Sequence, residues 1–254
     1  MLTIILAVEY DGTDYFGWQL QADKRTVQGE LNRAVQKAFC KNYQIIGSGR
    51  TDTGVHSSGQ IAHFVCDEEP KIPRHKVKLA INQKLPKNIR VRNLWFSELD
   101  FHSRFDAIMR EYKYRFCRRP SVFSQRWTAA ITYQLDVELL YESANLFLGQ
   151  HNFLTFSKTN STNSDYVCNV KKCEWTRQAN GIYELTIIAD RYVYGMVRAL
   201  VGAMVDVARH WRTLQDIEFA IYTQDRTLKS ALAPATGLNL HRIYYKEPFN
   251  DIIS

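Results

Sequence analysis

Two hydrophobic periods alternate along this chain, and they do so in the same order twice, which restricts it to a mixed α and β fold. Residues 2–9 read as a strand, with Thr3-Ile4-Ile5-Leu6-Ala7-Val8 at its centre. Thr26 caps a helix whose apolar stripe, Val27, Leu31, Ala34, Val35 and Ala38, falls at helical spacing. Tyr43–Gly47 and Gln60–Cys66 read as strands flanking a polar, glycine-rich loop. Pro73 opens a helix that runs to about Lys84, and Asn88–Phe96 closes the unit as a strand. The second half repeats the order. Glu111–Cys117 alternates as a strand, and Asp136 caps a helix with Val137, Leu140, Ala144, Phe147 and Leu148 on one face. Val170–Arg177 and Ile182–Ala189 form a hairpin across Asn180-Gly181. A helix over Val193–His210 buries Val197, Leu200, Val201, Met204 and Ala208, and Leu240–Tyr245 is the last strand. The expected fold is therefore α+β: two β-α-β-β-α-β (ferredoxin-like) halves with antiparallel sheets able to merge, helices packed on one side, and a central basic cleft. The expected domains are residues 1–104, with the glycine-rich loop, and residues 105–254. Ser157–Asp165 reads as a polar loop.

Composition narrows the class. Hydrophobic residues make up 45% and charged residues 23% of 254, which excludes a disordered or collagen-like chain. The longest apolar stretch, Gly195–Ala208, is broken by Arg198 and Asp206, and no run approaches the ~20 residues that span a bilayer, so no membrane role is expected. The N-terminus has no basic region ahead of its apolar residues, so no signal peptide is expected. Five cysteines, none in a C-x-x-C pair, point away from a disulfide framework or a structural zinc, and toward a reducing cytoplasm.

The charge is unevenly placed. Lys and Arg outnumber Asp and Glu 33 to 26, for a net +7. Residues 71–92 hold eight cations and no acid. Residues 101–127 add Arg104, Arg110, Lys113, Arg115, Arg118, Arg119 and Arg126 against Asp106 and Glu111, interleaved with Phe101, Phe105, Tyr112, Tyr114 and Phe116. Cations for phosphates beside flat rings for bases suit nucleic-acid recognition.

The chemistry concentrates in Gly47–Gln60, where four glycines in thirteen residues surround Arg50, Asp52 and His56. Glycines permit close approach of a ligand, and loops on a rigid scaffold are where sites form. Asp52-Thr53-Gly54 is also the tripeptide of aspartic proteases. That chemistry needs two carboxylates sharing a proton, whereas this chain has one such tripeptide, with a cation two residues away that favours the ionised form.

Gly49-Arg50-Thr51-Asp52-Thr53-Gly54-Val55-His56 followed by Gly59-Gln60 resembles the signature of the TruA family of tRNA pseudouridine synthases. Further matches run along the chain: Glu9–Thr13 with Phe16–Gln19, Thr26–Gln28, Phe101–Phe105 with Tyr112–Tyr114, Tyr192–Arg198 with Val201-Gly202, and Pro234-Ala235 with Gly237-Leu238 and Leu240. The resemblance implies an isomerase that converts uridine to pseudouridine in the anticodon stem-loop, at tRNA positions 38 to 40, without cofactor or metal. It implies Asp52 as the catalytic carboxylate, acting by addition to uracil C6, by attack at C1′ or by removal of a C2′ proton. Arg198 matches an arginine set against that aspartate, Arg50 one that contacts the RNA, and Tyr112 the tyrosine that stacks on the flipped uracil. Phe101, His102, Ser103, Arg104 and Phe105 match an RNA-contacting segment. Asn160, Ser161, Thr162, Asn163 and Ser164 align with a second one, although they include no cation. His56 is expected to serve loop structure. The implied partner is tRNA, bridging the two subunits of a cytoplasmic homodimer. The rival class is a tRNA-binding protein without chemistry, against which Arg50, Asp52, Tyr112 and Arg198 stand together.

Overall fold

The computed structural model describes residues 1–158, 165–178 and 181–250. Among them are ten strands and five α-helices, a mixed α+β fold. The chain divides into two compact units, residues 1–108 with 239–254, and residues 109–238.

In the first unit the strands are β1 (Leu2–Tyr10), β2 (Ile46–Gly47), β3 (His56–Cys66), β4 (Ile89–Ser97) and β10 (Leu238–Tyr245), with helices α1 (Val27–Phe39) and α2 (Arg74–Asn82). The strand order is β4-β1-β3-β10. β1 is antiparallel to β3 and β4, with Leu6 opposite both Ala62 and Leu94. The other edge of β3 is shared: His56 and Ser57 pair in parallel with Asn239 and Leu240, while Ala62 and His63 pair with Gly47 and Ile46. Thr26 caps α1 by accepting from Gly29 N at 3.3 Å, a contact worth about 1 kcal/mol. Val27, Leu31, Ala34 and Val35 of α1 then pack with Val77 and Ile81 of α2 onto Ile4, Leu6, Val8, Ala62 and Phe64. Leu2 to Leu6 are buried without a break, so both faces of β1 are covered.

The strand expected over Tyr43–Gly47 shrinks to Ile46–Gly47. Tyr43 serves an aromatic cluster instead: its ring packs 5.6 Å from Phe39 and 5.1 Å from Phe64.

The second unit contains β5 (Ala107–Cys117, which starts just before it), β6 (Ala129–Ala130), β7 (Gly149–Asn152), β8 (Val167–Arg177) and β9 (Ile182–Ala189). Its helices are α3 (Val137–Asn145), α4 (Met196–Ala208) and α5 (Leu214–Thr223). The strand order is β5-β9-β8-β7, all antiparallel, with β6 parallel to the end of β5. Asp136 caps α3 by accepting from Glu138 N and Leu139 N. The β8–β9 hairpin closes through Gly181, whose φ of +77° suits glycine; Asn180 lies outside the described residues.

The late helix starts at Met196, three residues after the expected Val193, because Gly195 takes φ +76° as its N-cap. α4 is buried nearly all round, as its near-continuous apolar sequence requires. Helix α5 is not among the elements that periodicity predicts. Its sequence signal is the capping box of Thr213 and Asp216, whose side chains bond each other's backbone N–H.

Candidate active site

In the first unit the loop joining β2 to β3 is fastened at several points. Gln60, fully buried on β3, accepts from Ser48 Oγ at 2.7 Å and donates to Gly49 O at 2.8 Å, closing the loop across its base. Thr51 is held twice, by Tyr10 through the two hydroxyls at 2.8 Å and by Trp18 N, which donates to Thr51 O at 3.1 Å. Gly54 N donates to Tyr15 O at 3.2 Å, and Val55 N to Asp52 O at 3.1 Å. The residues on both sides of Asp52 are thus tied to the rest of the unit through their main chains. Asp52 itself is half-buried and Arg50 is exposed.

Close backbone approach explains the surrounding glycines. A Cβ on Gly12 would sit 1.9 Å from Val55 O, and one on Gly47 would lie 2.6 Å from the Trp18 ring. Gly12 N donates to His56 Nδ1 at 3.1 Å, and Asp11 Oδ1 lies 3.2 Å from the same nitrogen. His56 is buried and joins the end of this loop to the turn after β1. The anchors Tyr10, Tyr15 and Gln60 were not singled out from sequence as site residues. Their only sequence signal is that they fall within or beside the matched motifs.

The segment 101–105, in the same unit, divides into an inner and an outer set. Phe101 packs against Tyr245 at 5.2 Å and Phe249 at 4.7 Å. Ser103 is buried, donating from Oγ to Ile46 O at 2.8 Å and from N to His63 Nδ1 at 3.2 Å, while its carbonyl accepts from Tyr245 OH at 2.8 Å. Arg104 and Phe105 face solvent, and the Phe105 ring stacks on His102 at 4.2 Å. Asn160–Ser164 lie outside the described residues.

Burial, and then the nearby His102, push His63 down to about 4 from its ordinary 6.5. The folded form keeps this imidazole neutral at pH values where the unfolded chain protonates it. Its contribution to stability is therefore full above about pH 6.5 and falls by up to about 3 kcal/mol as the pH drops to about 4. Urea midpoints measured between pH 7 and 4.5 should fall less steeply in His63→Gln than in the wild type; equal slopes would rule the effect out.

In the second unit Tyr112 lies on β5, largely buried, with its ring edge-on to Tyr192 at 5.0 Å. Arg198 projects from α4, where Nε donates to Ala233 O at 2.7 Å while Ala233 N donates to Arg198 O at 3.0 Å. This reciprocal pair fixes the plane of the guanidinium. Beside it, Tyr114 OH donates to Pro234 O at 3.0 Å. Burial raises the Tyr114 hydroxyl well above its ordinary value, and Arg198 opposes the rise only in part. The segment 233–234 thus orients both side chains.

Among the described residues no three His, Cys, Asp or Glu side chains are grouped as metal ligands, and no helix is long and apolar enough to cross a membrane.

Comparison with known proteins extends these observations. A family model described as tRNA pseudouridine synthase matches residues 6–106 and 143–246. Three proteins named tRNA pseudouridine synthase A are similar over 96% of this chain and the whole of their own. They come from Fervidobacterium nodosum (32% identical), Caldicellulosiruptor saccharolyticus (35%) and Chlorobium limicola (36%). Among solved structures, a chain of a Cbf5-Nop10-Gar1 complex aligns with 96% of this chain and 60% of its own at 9% identity and a TM-score of 0.36, too loose a match to bear on the fold. The family model and the full-length relatives agree, and this chain belongs to the tRNA pseudouridine synthase family, of the TruA type.

Proposed function

We propose that this isomerase acts on uridines of the tRNA anticodon stem-loop, with Asp52 as its catalytic carboxylate. The observation that carries the reading is the half-buried Asp52 on a loop whose main chain is bonded on both sides of it, two residues from an exposed arginine. A site that does chemistry needs its reacting group held in place in this way. The target base must leave the stack, at a cost of a few kcal/mol, before an ionised Asp52 can reach the nucleoside. The N1–C1′ bond then breaks, the uracil turns, C5 bonds to C1′, and C5 gives up its proton while the freed N1 takes one up, so that the product is an isomer of the substrate. Arg50 contacts the RNA at the mouth of the loop and Tyr112 stacks on the extruded uracil. Arg198 supplies a fixed positive charge that favours an ionised carboxylate.

Phosphate contacts offset the cost of extrusion. The exposed Lys76, Lys78, Lys84 and Arg90, on and after α2, belong to the acid-free stretch 71–92. In the segment 101–105, Arg104 and Phe105 touch the RNA while Phe101 and Ser103 hold the segment in place; Asn160–Ser164 form a second contact. The enzyme works as a cytoplasmic homodimer bridged by its substrate.

Pseudouridine mapping of tRNA from cells with and without the gene tests this reading. Loss confined to anticodon-arm uridines is expected, and loss confined to another arm would refute the assignment. Affinity for tRNA should also fall steeply with salt, by about 10³-fold or more between 50 and 200 mM if six or more phosphates are contacted. A flat salt response would remove the phosphate argument.

A further inference from the structure

The turn between β5 and β6 holds three large apolar side chains in water: Phe123 is 90% exposed, Val122 73% and Trp127 49%. This is not a slack loop. Ser121 O accepts from Ser124 N at 3.1 Å and Gln125 N at 2.9 Å, and Ser124 O accepts from Trp127 N at 2.9 Å. Ser121 Oγ accepts from Phe123 N at 3.3 Å. Both ends are anchored, since β6 pairs with the end of β5 and Ile131 N donates to Cys117 O at 3.1 Å. A hydrogen-bonded turn that keeps its apolar side chains out of any core marks a contact surface.

Charge selects the partner. Between Glu111 and Asp136 the chain carries Lys113, Arg115, Arg118, Arg119 and Arg126 and no acid. Lys113 and Arg115 share the single carboxylate of Glu184 across the β5–β9 ladder, at 3.2 and 2.5 Å, which offsets one of their two charges. Most of the excess therefore sits at the turn, where Arg118 and Arg119 are exposed on the N-terminal side of Phe123. Flat rings beside guanidinium groups are the combination that stacks an unpaired base and neutralises the phosphates flanking it.

We propose that this turn is a further RNA contact, at which Phe123 stacks on an unpaired nucleotide of the tRNA and Arg118 and Arg119 meet the adjacent phosphates. The inference rests on the tRNA reading above and adds a contact made by residues apart from Asp52, Arg50, Tyr112 and Arg198.

The test measures tRNA affinity across a salt series, the pseudouridine-forming rate at saturating tRNA, and sedimentation, for the full chain and two variants. Phe123→Ala should weaken binding about tenfold with the salt slope unchanged, since stacking carries no counterion release. The double variant Arg118→Gln/Arg119→Gln should lower the slope of log K against log salt by about 1.5. Both should keep the wild-type rate at saturation. Wild-type affinity in both variants would overturn the proposal. So would a Phe123→Ala protein that binds normally but sediments at lower mass, because the turn would then be a self-association face. If instead the wild type binds tRNA and forms no pseudouridine, the functional reading fails while this contact stands.

Discussion

Asp52→Asn is expected to abolish pseudouridine formation, by at least about 10⁴-fold or some 5 kcal/mol of transition-state stabilisation, and to leave tRNA affinity within several-fold of wild type. The amide keeps the size of the carboxylate and removes its charge and basicity, which every route open to an aspartate here requires. The bonds from Tyr10, Tyr15 and Trp18 survive the change, because they reach the main chain of Thr51 and Gly54 and the Thr51 hydroxyl. Release of tritium from tRNA labelled at uridine C5 reads the reaction, since C5 loses its hydrogen on bonding to C1′. Filter binding reads affinity. An Asp52→Asn protein with wild-type tritium release would move the chemistry to another residue; one that fails to bind would make Asp52 a binding residue.

Gly12→Ala is expected to damage both stability and rate. Its Cβ would meet Val55 O at 1.9 Å and Val55 C at 2.6 Å, and both are main-chain atoms that no rotamer change can move aside. Either the turn after β1 or the segment Val55-His56 must shift by an ångström or more. Overpacking of this kind costs about 1–3 kcal/mol or more. The displaced segment begins three residues after Asp52, and a misplacement of ~1 Å at a reacting group costs about 100-fold in rate. Gly49→Ala, in the loop that carries Asp52, is the control, because a Cβ there meets nothing within 4 Å. Its urea midpoint should match the wild type while that of Gly12→Ala falls. Equal midpoints for the two variants would show that the turn yields without cost.

The parts of this fold legible in the sequence are those governed by neighbours a few residues apart. Thr26 and Asp136 start α1 and α3 because a capping oxygen acts on N–H groups two or three residues ahead. Gly181 marks the β8–β9 turn for an equally local reason, its left-handed backbone. The glycine-rich loop, with Arg50, Asp52 and His56 inside it, was likewise visible as a cluster. Less legible were elements whose residues look alike in different roles. Tyr43 and Ile45 have the composition of a strand, yet Tyr43 serves an aromatic cluster with Phe39 and Phe64. Helix α5 buries only Ile217 and Ala220, too thin a stripe for periodicity to reveal.

By itself the sequence determined the helices α1, α3 and α4 and the β8–β9 hairpin, which loop gathers the carboxylate with the guanidinium, and, through its motifs, which family the chain resembles. Tertiary structure alone decided that β10 returns to lie beside β3, where Ser57 Oγ donates to Leu240 O at 2.9 Å across 183 positions of sequence. It alone placed Phe101 and Ser103 inside and Arg104 and Phe105 outside. The reason is physical: capping and turn geometry are settled by atoms a few bonds apart, whereas strand pairing and burial depend on groups that meet only once the chain has closed upon itself.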